Sequence, residues 1–206
     1  MHITEGILSP SVLIAGAALT TAGVAVGLRK LETEEIPSAG ILSAAFFVAS
    51  LVHVPIGPAS VHLVLNGLLG MILGWKAFPA ILVGLALQGL LFQYGGLTSL
   101  GVNTLNMALP AVLCHYLFGW GVRVGAKIPI FTFSAFACGF CAVLGSVVLL
   151  GFSLYLTGEA FLPAAKVAVA ANLPIMLIEG MLTASCALFL RRVKPELLEG
   201  QYAPRS

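Results

Sequence analysis

The chain has 206 residues, 59% of them hydrophobic and 9% charged, with a formal net charge of +2 and a mean hydropathy of +1.05. Soluble domains carry about a quarter charged residues, so this composition excludes an ordinary water-soluble fold. A charge this small, spread over short loops, also excludes a nucleic-acid binder. The apolar residues fall in long blocks, several near the roughly 20 residues that cross a bilayer core. Lipid leaves only helices or a closed barrel as spanning structures, and uninterrupted blocks lack the alternation of a barrel. The predicted class is therefore all-α: a polytopic transmembrane helical bundle forming one domain over residues 1–206.

In chain order, the opening Met1-His2-Ile3-Thr4-Glu5 is polar and acidic where a signal peptide would be basic, so the N-terminus is expected to be retained. Spans are expected near residues 8–28, 38–53, 60–75, 78–94, 103–120, 129–157 and 161–190, seven in all. The breaks between them carry turn chemistry, including Ile36-Pro37-Ser38, Pro55-Ile56-Gly57-Pro58, Phe78-Pro79, Gly95-Gly96, Gly158-Glu159 and Phe161-Leu162-Pro163. The last two blocks exceed a minimal span, so they are expected to tilt, to extend into water, or to break at residues such as Pro174.

An odd number of spans puts the termini on opposite sides. Arg29, Lys30, Lys76, Arg123, Lys127, Arg191, Arg192, Lys194 and Arg205 then share the side of the C-terminus, and Lys166 alone does not. Nine of ten basic residues on one face mark it as cytoplasmic and place the N-terminus outside. One span more or fewer would scatter them.

This orientation sorts the four histidines. His2, His53 and His62 gather at the outer face, and His115 falls toward the inner end of the fifth span. Met1-His2 has a ligand logic of its own. The α-amine, the His2 amide nitrogen and His2 Nδ1 close adjacent five- and six-membered chelate rings on one ion, and the planar set suits Ni(II) or Cu(II). His62 would add a fourth nitrogen. Two readings stay open at this point: His2 as a frayed polar terminus against His2 as a ligand, and His62 as an interfacial imidazole against His62 as its partner.

Cys138-Gly139-Phe140-Cys141 places two thiols on one helix face, and Cys114, His115 and Cys186 also lie in inner halves of spans. Without a second CxxC or neighbouring charge these cysteines read as buried small hydrophobes, although an intramembrane redox or metal enzyme built on them is the rival hypothesis. A third reading is a scaffold with interfacial histidines. Glu179 and Asn172 are costly in lipid and are expected to face the bundle interior, as packing contacts or as part of a transport path. The chain has no HExxH, GxSxG or P-loop motif and no Asp. It is therefore expected to be no enzyme, and active transport would need partners that supply energy.

Three segments carry a resemblance to a known family: Met1-His2-Ile3-Thr4-Glu5-Gly6-Ile7-Leu8-Ser9-Pro10, the loop Ser60-Val61-His62-Leu63, and Gly95-Gly96-Leu97 through Leu100-Gly101-Val102-Asn103 and Asn106-Met107. Together they resemble the CbiM/NikM family, the substrate-binding membrane components of energy-coupling-factor cobalt and nickel transporters, over nearly the whole chain. The resemblance implies an N-terminus inserted into the bundle, with Ni(II) or Co(II) held as transported substrate by the Met1 amine, the His2 amide, the His2 imidazole and His62. His53, as a neighbour of the ligands or a transient ligand, and Ser60, as a neighbour, are expected beside this set. It further implies a multi-pass protein of a bacterial or archaeal inner membrane that works with a transmembrane coupling protein, ATPase subunits and, in many systems, a small auxiliary membrane subunit.

Overall fold

The structure, a computed structural model of the chain, describes residues 2–56, 59–122, 126–158 and 162–199. Met1, Gly57, Pro58, Arg123, Glu159, Phe161 and Arg205, each singled out from the sequence, lie outside the described residues, as do the side chains of His53 and Ser60.

Helix α1 (Pro10–Lys30) opens on a proline, whose missing N–H costs nothing in the first turn, and closes on Arg29 and Lys30, which suit the negative end of the helix dipole. Its buried positions are Gly16, Thr20, Gly23 and Gly27, a single seam of small residues, while Ile14, Leu19 and Leu28 are exposed. A Cβ on Gly16 would stand 2.4 Å from the Val102 side chain, and one on Gly27 would stand 2.6 Å from the Trp75 carbonyl oxygen. Helices that cannot gain from excluding water associate through such close approach.

Helix α2 (Ile36–Ala49) leads to a short hairpin of strands β1 (His53–Ile56) and β2 (Ala59–His62), paired antiparallel with His53 opposite His62. Helix α3 (Asn66–Leu73) follows, buried at every position, then a 3-10 turn at Gly74–Lys76 and helix α4 (Ala77–Phe92). Helices α5 (Leu100–Phe118), α6 (Ile128–Thr157) and α7 (Leu162–Val193) complete the bundle, with a final turn, α8 (Glu196–Glu199).

Neighbouring contacts give each helix its direction. Asn66 donates to the Met107 carbonyl at 3.0 Å, Gly70 abuts Ala111, and His115 lies 3.2 Å from the Met71 carbonyl, so α3 runs alongside α5 in the same sense. The C-terminal end of α4 meets the N-terminal end of α5, where Gly95 sits against Asn103. Residues 66–92, apolar and long enough to count as one span of 27 residues, therefore fold back at Gly74, whose φ of 54° suits glycine. Ser43 donates to the Ala80 carbonyl and Phe46 packs on Gly84, which makes α2 parallel to α4. Pro110 against Gly145 and Asn106 against Ser153 set α6 antiparallel to α5, and Gly180 against Phe136 together with Arg191 donating to the Ala126 carbonyl sets α7 antiparallel to α6. With α1 running from the Thr157 end of α6 to the Trp75 turn, α1, α3, α5 and α7 point one way and α2, α4 and α6 the other.

The helical class matches the expectation, and five helical segments are long and apolar enough to cross a membrane. The expected second and third spans need correction at their junction. The second helix ends at Ala49, and the start of the expected third span, residues 60–62, is strand. Pro55 and Pro58 remove two N–H groups that a helix would use, and Val54, Ile56 and Val61 favour extended backbone. At Pro174 the chain does not break: α7 continues through it.

Gly70 tests the packing. A Cβ there would lie 2.3 Å from the Ala111 carbonyl oxygen, which is backbone and cannot yield, whereas Gly40 has nothing within 4 Å. Gly70→Ala is expected to cost about 1–3 kcal/mol or more and Gly40→Ala close to nothing, read as thermal unfolding in detergent micelles.

Candidate metal centre

The polar N-terminal segment enters the end of the bundle where α4 gives way to α5. Ile3 is buried, and with Leu8 it packs against Val102, Leu150 and Leu154. A non-helical segment drawn into an apolar setting must have its amides satisfied, because an unpaired backbone group there is costly. Asn103 does this for Ile3. Its Oδ1 accepts the Ile3 N–H at 3.0 Å and its Nδ2 donates to the Ile3 carbonyl at 3.1 Å, so one side chain imitates a β-ladder partner. Ser99 Oγ donates to the same carbonyl at 2.8 Å and accepts from Asn103 Nδ2 at 3.2 Å.

Two glycines let the loop come this close. Gly95 and Gly96 have φ of 81° and 152°, and a Cβ on Gly96 would fall 2.0 Å from Glu5 Cγ. Glu5 Oε1 accepts the Thr98 N–H at 3.2 Å, pinning the segment on the far side of Ile3. Tyr94, at the start of this loop, stacks on the His2 ring at 6.3 Å between centroids.

His62 arrives from the opposite side, at the end of β2, and is 9% exposed. Its ring lies 4.9 Å from that of His2, 11° from parallel. With metal–nitrogen bonds of about 2 Å, rings this close are within reach of one ion. His62 Nδ1 lies 2.9 Å from the Leu63 carbonyl oxygen, which can only accept, so Nδ1 carries the proton and Nε2 keeps its lone pair. A ring nitrogen tied to a carbonyl, which fixes the tautomer so that the other nitrogen can donate, is the usual arrangement of a ligating histidine.

Of the residues picked out from the sequence, the structure brings together His2 and His62. His53 and Ser60 share the hairpin with His62 by backbone register. His115 is elsewhere, buried on α5 beside Met71, and Cys114 and Cys138 are buried in the bundle core. All four cysteines are free. Among the described residues, no three His, Cys, Asp or Glu side chains gather to hold a metal ion. The Ser99–Asn103 clamp escaped the residue-by-residue reading; Asn103 figured only as part of a family segment, although a buried Asn one turn past a Ser is a signal that could have been weighed.

Comparison with known proteins finds relatives along the whole chain. The family described as "Cobalt uptake substrate-specific transmembrane region" matches residues 2–197. A Haemophilus influenzae protein named for metal transport is 39% identical over 96% of this chain and 97% of its own. The cobalt transport protein CbiM of Sorangium cellulosum is 30% identical over 97% and 95% of the two chains. A crystal structure described as a transition metal transporter superposes with a TM-score of 0.80 over 98% of both chains at 24% identity, which establishes the shared fold. The chain belongs to the CbiM family of transmembrane cobalt and nickel transport components.

Proposed function

We propose that this chain captures Ni(II) or Co(II) at the outer face of the membrane, with the Met1 amine, the His2 amide nitrogen, His2 Nδ1 and His62 Nε2 as a planar set of four nitrogens. The near-parallel approach of the His2 and His62 rings carries the reading. Two imidazoles leave two positions of a planar set open, which the Met1 amine and the His2 amide nitrogen would fill. Deprotonated amide donation requires a strong Lewis acid and gives square-planar geometry, which Ni(II) favours.

Seven membrane crossings with the N-terminus outside fit the alternating helix directions, and the same arrangement gathers nine of ten basic residues on the inner side. Capture and release without a nucleotide-binding motif make the chain a substrate-binding subunit, not an ATPase. Its work then needs a coupling protein and ATPases of the energy-coupling-factor type, and a small auxiliary membrane subunit in some systems. His53 and Ser60 stand near the ligands on the hairpin. The rival reading, an inner Cys/His enzyme, has no cluster of three His, Cys, Asp or Glu side chains in its favour among the described residues.

Extending the N-terminus by one glycine changes the chelate ring sizes and is expected to abolish stoichiometric Ni(II) binding without unfolding the protein. His62→Ala is expected to weaken binding far more than His115→Ala. Calorimetric titration of the three proteins checks both, and greater damage from His115→Ala would move the site inward.

Asn103→Ala removes two hydrogen bonds to Ile3, worth about 2 kcal/mol together, and should lower Ni(II) affinity roughly thirtyfold. Asn103→Asp, which keeps the acceptor for the Ile3 N–H, is expected to fall between.

Acid is expected to release the metal, because every donor must be free of its proton. Loss should begin as pH falls through the range where free imidazole titrates, about 6.5. Glu5→Gln should hold metal at neutral pH, since Glu5 is engaged with the Thr98 amide and is assigned no ligand role. Following the Ni(II) d-band through a pH titration reads both outcomes.

A further inference from the structure

Glu179 lies at the middle of α7, 0% exposed, and is the only buried carboxylate among the described residues. Its partners are backbone amides 114 and 115 positions away: Oε1 accepts from Val64 N–H, and both carboxylate oxygens stand 3.0 Å from Leu65 N. These amides open the segment that follows His62. Leu65 itself has φ of 53°, a left-handed conformation that leucine rarely adopts, so the segment is held in a shape its own residues do not favour.

The Val64 N–H belongs to the same peptide group as the Leu63 carbonyl, which accepts from His62 Nδ1. The chain of contacts runs from the Glu179 carboxylate through the Leu63–Val64 peptide to the imidazole. We propose that Glu179 is a positioning residue for the metal donor His62, acting through this single peptide group. The inference rests on the assignment of His62 as a ligand.

Two effects follow. An anion on the N–H side of a peptide polarises its carbonyl, and hydrogen bonds in series strengthen one another in a low-dielectric interior. The stronger Nδ1–H···O bond fixes the tautomer and makes Nε2 a better donor, as carboxylates that touch ligating histidines directly do. The second effect is mechanical. Because α7 packs along α6 through Gly139 and Gly180, the carboxylate ties the His62 segment to that helix pair, so a shift of α7 along its axis would displace His62.

Glu179→Gln is the variant of choice, since its amide oxygen can still accept one N–H while the charge is lost. Second-sphere partners of metal ligands typically contribute 10- to 100-fold in affinity, so Ni(II) binding should weaken at least about tenfold, with the melting profile in detergent near that of the parent. The same substitution made in a His62→Ala background, with imidazole added as an external fourth donor, should cost nothing further. In metal-free protein, the protonated His62 nitrogen resonance of 15N-imidazole-labelled samples should move in Glu179→Gln. Unchanged affinity in Glu179→Gln, an equal loss in both backgrounds, or an unmoved His62 resonance would overturn the proposal while leaving the ligand set standing. Ni(II) bound as tightly by His62→Ala as by the parent would refute the ligand assignment, and the role of Glu179 with it.

Discussion

A chain terminus is normally the loosest part of a protein, yet here the first residues carry three of the four proposed donors and must be held to within a bond length. The constraint that makes this workable is the pairing of Ile3 with the side-chain amide of Asn103. Once both polar groups of Ile3 are bound, the register of the segment is fixed, and His2 has one place to go. The Gly95-Gly96 loop, the Glu5 contact with Thr98 and the Tyr94 ring all close around that fixed point.

The second half of the site depends on an irregular stretch that lipid alone would not permit. Residues 53–56 and 59–62 form two paired strands and Leu65 a left-handed turn between helices, and unpaired amides there would be untenable without a partner from the protein. Glu179 supplies it for Val64 and Leu65. Irregular backbone at membrane depth is tolerated where it is enclosed by protein and serves a site, and the burial of α3 directly after the turn provides the enclosure. Small residues make the enclosure tight: Gly67 and Gly70 bring α3 against the backbones of α6 and α5.

Helical class, membrane location and the grouping of His2 with His62 were legible in the sequence because hydropathy and charge act over long windows and depend little on detail. The hairpin was not. Residues 60–75 read as one apolar block, and a hydropathy window does not register that Pro55, Gly57 and Pro58 deny the chain a helix on its approach. The role of Glu179 was half visible: its cost in lipid announced an interior partner, but the partners are backbone amides more than a hundred residues away, which carry no residue signature. Asn103 is a similar case, since a clamp on another residue's main chain leaves no mark on that residue's identity. The buried cysteines show the converse, a spacing that suggests chemistry, with Cys114 and Cys138 packed in the apolar core.

The account stands or falls on the identity of the four donors. X-ray absorption spectroscopy of the Ni(II)-loaded protein with its native N-terminus examines them directly. Four nitrogen-class neighbours at a single short distance, no sulfur, and the pre-edge transition of a square-planar ion are the predicted result. Sulfur in the first coordination shell, or six oxygen and nitrogen neighbours without that transition, would contradict it.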